Sequence, residues 1–351
     1  MWQQLKILQH RDVIRSILLD NEISIPVHVE IEPTEICNHR CIFCYWYGEP
    51  RKNSFPNFDF TGKRKMPINR LTQLIGELQQ MGTEAISFTG AGDPLMYKGM
   101  EEVLSRLSES TIDFAITSNF NMKLSDSIIP LLCNASWLRW SVDAGSENMY
   151  QKVHKPKGGI SLSATLENIR RLASGEGKAK INASFVICEI NKYEILQATR
   201  LVKETGADSI SFRPDTGFER PKECYNYEDE VIQQLEEAKN LETDKFRVFV
   251  NYERLDETKL PQEDIACYYS NHSTYIAANG DIYPCCMTRF DKKYSFGNIM
   301  EQSFKEFWNS KTKRDNYKRI NMRFCPPCHH TKDNEVLQLL YGDGGKVDNF
   351  I

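Results

Sequence analysis

Short apolar runs rich in β-branched and aromatic residues recur at 27–31, 85–89, 112–117, 138–142, 181–187 and 209–212. Between them lie stretches whose apolar positions fall three and four apart, at 71–81, 100–108, 163–173 and 195–205. A strand-length run followed by a helical period, repeated in this way, predicts parallel strands joined by helices. Six such units make an α/β fold, a partial (β/α)6 barrel whose functional residues belong at the C-terminal ends of the strands. The rhythm breaks at Arg213-Pro214-Asp215, and a polar stretch with one helical segment at 229–240 follows. Two short strands at 274–277 and 281–283 flank Asn279-Gly280, a strong hairpin-turn dipeptide, and helical segments follow at 304–308 and 314–320. The predicted organisation is a helical extension over 1–26, the barrel over 27–215, a connecting segment over 216–262, a small module of hairpin plus helices over 263–334, and a tail over 335–351.

Composition narrows the classes of function. A net charge of −4 supplies no electrostatic reason for a nucleic-acid partner. No apolar run approaches the roughly 18–20 residues of a membrane span. Near the N-terminus, Leu5, Ile7, Leu8, Val13, Ile14, Leu18 and Leu19 are interrupted by Lys6, Arg11, Asp12 and Arg15, which suits a short amphipathic helix rather than a signal peptide. The expected location is therefore cytoplasmic, without a membrane partner. Eleven cysteines in such a chain point to metal ligands or catalytic thiols before disulfides. A basic cluster at Arg51, Lys52, Lys63, Arg64 and Lys65 reads as a solvated loop, with an anionic substrate as the alternative.

Cys37, Cys41 and Cys44 lie within eight residues of one another, just after the first predicted strand and so at the functional end of the barrel. Iron-sulfur clusters usually take four thiolates, so three from one loop leave an iron open to an exogenous ligand. Structural zinc is the alternative, although such sites usually pair two CxxC elements. The CxxxCxxC spacing, with Phe43 before the last cysteine, resembles the radical S-adenosylmethionine superfamily. That resemblance implies a [4Fe-4S] cluster whose open iron binds S-adenosylmethionine and cleaves it to a 5′-deoxyadenosyl radical.

The resemblance extends to other strand ends. Thr89-Gly90-Ala91-Gly92-Asp93-Pro94 is similar to the family's Gly-Gly-Glu-Pro segment, with Gly92 expected to let the backbone approach the methionine amino group and Asp93 in place of the usual Glu. Ser118, after the third strand, and Ser141 and Asp143, alternating at the end of the fourth, are expected near the ribose or substrate, with helix capping the alternative for Asp143. Lys155 or Lys157 would meet the methionine carboxylate where many relatives carry an Arg, and Arg213 is a further candidate for a carboxylate or substrate contact.

Cys267, Cys285, Cys325 and Cys328, with Gly280 five positions before Cys285, resemble the auxiliary-cluster domain of the SPASM and Twitch subfamilies. No cysteine follows Cys328, so one auxiliary [4Fe-4S] cluster is expected, closed by four thiolates and suited to passing electrons. Zinc is again the alternative. Cys286 adjoins Cys285 and competes with it as ligand. Cys133, Cys188 and Cys224 read as small packing residues, while Cys188 or Cys286 is the candidate hydrogen-atom donor to a substrate radical.

The resemblance implies an oxidoreductase that abstracts a hydrogen atom from a substrate carbon. Dehydrogenation of a secondary alcohol on an aminocyclitol or sugar is the first reading, and epimerisation or peptide modification the alternatives. The roughly 26 residues before the first strand are short for a leader-peptide-binding domain, which places peptide modification last. A flavodoxin- or ferredoxin-type electron donor is the expected protein partner. The rival outside enzymology is a non-catalytic cluster or zinc carrier, which would have no use for polar residues at successive barrel mouths.

Overall fold

Strand alternation sorts the sheet into an apolar face and a polar one, and the register shows which residues share each. The computed structural model describes residues 4–18, 25–47, 59–158, 160–215, 229–250, 266–325, 328 and 330–341. Seven parallel strands lie side by side in chain order: β1 (His28–Ile31), β2 (Ala85–Phe88), β3 (Asp113–Ser118), β4 (Trp137–Ser141), β5 (Lys180–Ile187), β6 (Ser209–Pro214) and β7 (Arg247–Val250). Ile31, Phe88, Ile116, Leu138 and Ile181 form one lateral row. These side chains are buried in a common core with residues of the intervening helices. The helices are α2 (Ile68–Met81), α3 (Met100–Ser108), α4 (Ile128–Cys133), α5 (Glu147–His154), α6 (Leu162–Ala173), α7 (Ile195–Glu204) and α8 (Asp229–Lys239), with α1 (Arg11–Leu18) ahead of the sheet.

The alternate rows run Thr117, Arg139, Asn182, Ser209, Arg247 and Ser141, Ser184, Ser211, Phe249. This is the inner face of the partial barrel, and it is polar. Its groups satisfy one another: Asn182 Nδ2 donates to Ser209 Oγ at 2.8 Å, Ser211 Oγ donates to Asn182 Oδ1 at 3.0 Å, and His28 Nε2 meets Ser87 Oγ at 2.8 Å.

The six expected strands and their helices are present, each within a few residues of its predicted bounds. Two features extend them. The strand-helix rhythm resumes at α8 and β7, so part of the predicted connecting segment adds a seventh strand to the barrel. On the other side, β8 (Ser273–Ile276) pairs in parallel with β1, His28 opposite Ser273, and turns back through Gly280, at φ 88°, into antiparallel β9 (Asp281–Tyr283) and then β10 (Gly297–Asn298). The hairpin therefore continues the barrel's own sheet, giving ten strands in the order β10-β9-β8-β1-β2-β3-β4-β5-β6-β7.

Helices α9 (Phe304–Trp308), α10 (Lys311–Lys318) and α11 (Thr331–Tyr341) complete the module. A Ser303–Glu306 capping box starts α9, and the Ser310 side chain caps α10, which begins three residues before the expected segment. Tyr341 Oη meets His272 Nε2 at 3.1 Å, so the first part of the predicted tail packs on the module; the rest of the tail lies outside the described residues. Among the described residues no helix is long and apolar enough to cross a membrane.

Candidate active site

The loop after β1 is stitched to the end of α5. Arg40 N–H donates to His154 O, Ile42 N–H to Val153 O and Lys157 N–H to Asn38 O. Asn38 Nδ2 donates to Asn121 O at 2.6 Å, and Asn119 Nδ2 donates to Asn38 Oδ1 at 2.8 Å. Thus held, the thiols of Cys37, Cys41 and Cys44 come close enough for Cys44 to act on the other two. Burial first, then Asp93 and Cys44, push Cys37 up to about 12, and burial followed by Cys44, Asp143 and Cys37 lifts Cys41 well above its ordinary value. Thiols packed in this way keep their protons unless a cation replaces them, and a three-thiol set with a vacant fourth position fits an open iron of a cluster.

The β2 end supports this loop. A Cβ on Gly92 would overlap the Thr34 carbonyl and the Glu35–Ile36 peptide, and Asp93 N–H donates to Ile36 O at 2.9 Å. The chain's own backbone therefore already requires glycine here. Gly90, at φ 153°, leaves room for the Glu32 side chain, whose Cγ would lie 2.5 Å from an added Cβ. Asp93 accepts from Ser118 Oγ, Asn119 N–H and Leu95 N–H at 2.8–3.0 Å, which ties the ends of β2 and β3 together. Burial nonetheless lifts its carboxyl to about 6. Gly92→Ala is expected to cost about 3 kcal/mol through backbone displacement, read as a lower urea midpoint at unchanged slope. Gly76→Ala within α2, where Arg106 Nη2 at 3.4 Å can move, is the control and leaves the midpoint unchanged or higher.

At the β4 end, alternation stops at Ser141. Asp143 takes φ 45°, so its buried side chain is placed by the turn and not by the strand face expected for it. Asp143 Oδ1 accepts from Val186 N–H at 2.6 Å, while Oδ2 is buried without a hydrogen bond, 3.6 Å from His154 Nε2. Burial pushes this carboxyl up to about 7, against the attraction of Arg213. Arg213 is half-buried on the inner face of β6. His154 Nε2–H donates to Val142 O at 2.9 Å, and its Nδ1 lies 3.1 Å from Cys41 Sγ. Lys155 and Lys157 have exposed side chains, with Lys155 serving as the left-handed cap of α5; the His154 side chain of this segment meets a cysteine thiol. Cys188 is buried near Asp143, its N–H bonded to Asn191 Oδ1 at 2.8 Å. Arg64 of the basic cluster pairs with Glu35 and Asp59; Arg51, Lys52 and Cys224 lie outside the described residues.

The second set assembles from three segments. Cys285 raises the pKa of Cys267, Cys325 and Cys328, placing the four thiols together, and burial is the larger cause at each. Tyr294 Oη reaches Cys325 Sγ at 4.0 Å and His330 N–H donates to Cys328 Sγ at 3.3 Å. Four converging thiols fit a closed cluster. Cys286 turns elsewhere, beside the Glu30 carboxylate on the inner face of β1 and near Arg289. Glu30, Glu32, His154 and Arg289 escape a sequence reading. The available signal was two carboxylates two apart on one strand face just before the cysteines.

The model of the Radical SAM superfamily matches residues 31–202, and that of SPASM, an iron-sulfur cluster-binding domain, matches 267–330. The chain belongs to the radical SAM superfamily and carries a SPASM iron-sulfur domain. It is 22% identical to the antilisterial bacteriocin subtilosin biosynthesis protein AlbA of Bacillus subtilis over 89% of this chain and 66% of that protein. It is 26% identical to the GTP 3′,8-cyclase of Aquifex aeolicus over 86% of this chain and 95% of that one. In fold it is similar to Streptococcus suis SuiB bound to S-adenosylmethionine, with TM-score 0.62 and 16% identity over 89% of this chain and 72% of that one. It is also similar to anSMEcpe with bound AdoMet, with TM-score 0.61 and 16% identity over 88% and 85% of the two chains. The cofactors of this family architecture are S-adenosylmethionine, a catalytic [4Fe-4S] cluster and an auxiliary one.

Proposed function

We propose that this enzyme abstracts a hydrogen atom from a carbon of a polar substrate held against the inner face of the sheet, and oxidises a secondary alcohol of an aminocyclitol or sugar. The observation that carries this reading is the hydrogen-bonded polar wall of Asn182, Ser209 and Ser211 on the inner face of a sheet that also carries the cysteine loop and the auxiliary thiols. Cys37, Cys41 and Cys44 would hold the catalytic cluster, and Cys267, Cys285, Cys325 and Cys328 the auxiliary one, which would accept the second electron of the oxidation while the hydroxyl proton passes to solvent. When bound, the reduced cluster and S-adenosylmethionine would supply the radical chemistry that removes the hydrogen atom. The protein's part is positioning: Asp93 fixes the ends of β2 and β3, and His154 braces Cys41 against Val142. Arg213, facing the inner side near Asp143, is suited to a carboxylate of cofactor or substrate. A flavodoxin- or ferredoxin-type protein would deliver the electron.

A second reading, epimerisation, has its own support. The Cys286 thiol lies beside Glu30 rather than within the auxiliary set, where it could return a hydrogen atom to a substrate radical. Anaerobic reconstitution followed by assay of 5′-deoxyadenosine under reduction tests the common step, and its absence with both clusters loaded would remove both readings. With aminocyclitols, sugars and peptides as candidates in deuterated water, oxidation is expected to give a carbonyl product without solvent deuterium at the abstracted carbon. Epimerisation would instead leave one deuterium there.

A further inference from the structure

Between the cysteine loop and the auxiliary hairpin sits a cation stacked on two aromatic rings, with carboxylates near it. The guanidinium carbon of Arg289 is 4.3 Å from the ring centroid of Trp46, two residues past Cys44, and 5.0 Å from that of Tyr275 on β8. Arg289 Nε is buried without a hydrogen-bond partner. Glu32 beside it is 0% exposed. Its Oε2 accepts from Tyr275 Oη at 2.5 Å and Ala91 N–H at 2.9 Å, while Oε1 is buried with no partner. Among the described residues no contact ion pair joins Glu32 to Arg289, although the two charges attract; Tyr275 and Ala91 hydrogen-bond the carboxylate, and the rings stack on the guanidinium. Buried polar groups are nearly always satisfied, so two orphaned ones side by side mark a place for a ligand.

We propose that Arg289 and Glu32 form the anchoring end of the substrate site, taking an oxyanion, carboxylate or phosphate, on Arg289 and an adjacent hydroxyl or amine proton on Glu32 Oε1. Stacking occupies the faces of the guanidinium and leaves its edge of N–H donors, which suits a planar two-point contact that lysine cannot make. Tyr275 lies opposite Glu30 in the register, so the anchor stands on the inner face at the end of β1. A molecule held there meets the Cys286 thiol, which neighbours both Glu30 and Arg289. Burial lifts the Glu32 carboxyl to about 7, which lessens its repulsion of an arriving anion at neutral pH. This inference rests on the reading of the chain as a radical enzyme and names the polar group its substrate carries.

The test is calorimetric titration of the full chain, reconstituted without oxygen, with glycerol 3-phosphate, glycerate and glycerol, which share hydroxyl donors and differ in the oxyanion. At least one charged probe is expected to bind roughly tenfold to a hundredfold more tightly than glycerol, and the stronger of the two identifies the oxyanion. Arg289→Gln should erase that preference and Arg289→Lys retain part of it. If the glutamine variant loses iron or fails to fold, the lysine variant carries the comparison, with a roughly tenfold weaker preference expected. Equal binding of all three probes to the wild type, or a preference unchanged in the variants, overturns the anchor. Nucleoside release from the same wild-type preparation separates the two ideas. Release without oxyanion preference defeats the anchor alone, and preference without release defeats the radical reading alone.

Discussion

Cys41→Ala is expected to abolish 5′-deoxyadenosine release and to remove about four of roughly eight iron atoms per chain, leaving the auxiliary cluster in place. The expectation follows from the arithmetic of ligands. Three thiols on one loop already leave an open iron, so a set reduced to two loses its grip, and Cys41 is the member packed against His154 Nδ1 at 3.1 Å. The two sets lie on separate segments, one following β1 and the other spread over the hairpin module, so damage to the first should spare the second. Iron and sulfide assays with electron paramagnetic resonance of the reduced protein measure it. Full iron retention in the variant, or zinc as the bound metal in the wild type, would defeat the assignment of this loop.

Cys285→Ala and Cys286→Ala should differ sharply although the residues are adjacent. Cys285 interacts with Cys267, Cys325 and Cys328, so its loss is expected to strip about four irons and leave the catalytic cluster intact. Cys286 faces Glu30, so Cys286→Ala should keep all roughly eight irons. In the epimerisation reading, that variant consumes S-adenosylmethionine but no longer delivers a solvent deuteron to the product. Equal iron losses in the two variants would mean that the ligand assignment within this pair is mistaken.

The cysteines were legible because metal chemistry imposes spacing along the chain, and strands β1 to β6 because burial on one face imposes a period. What the sequence hid lies in contacts between distant segments. Arg289 is unremarkable until the fold sets it between Trp46 and Tyr275, and Glu32 until Tyr275, 243 residues away, bonds its carboxylate. Strand β7 is four residues long at the sheet edge, with Phe249 half exposed, so its pattern shows little burial to read. The turn at Asp143 defeats alternation because one left-handed residue redirects the side chain. The contact of Gly92 with the backbone of residues 34–36 was hidden in the same way, since no sequence pattern marks it.

The parallel pairing of β8 with β1 bears on how such modules can be exchanged. A strand closed on both sides has no free row of amides, whereas cutting the chain before residue 266 would bare one edge of β1 and invite pairing with other chains. The auxiliary module thus doubles as edge protection for the barrel. Any transplant of it should carry β1 and its cysteine loop as one inheritable block, because the register His28↔Ser273 fixes how the two stand against each other.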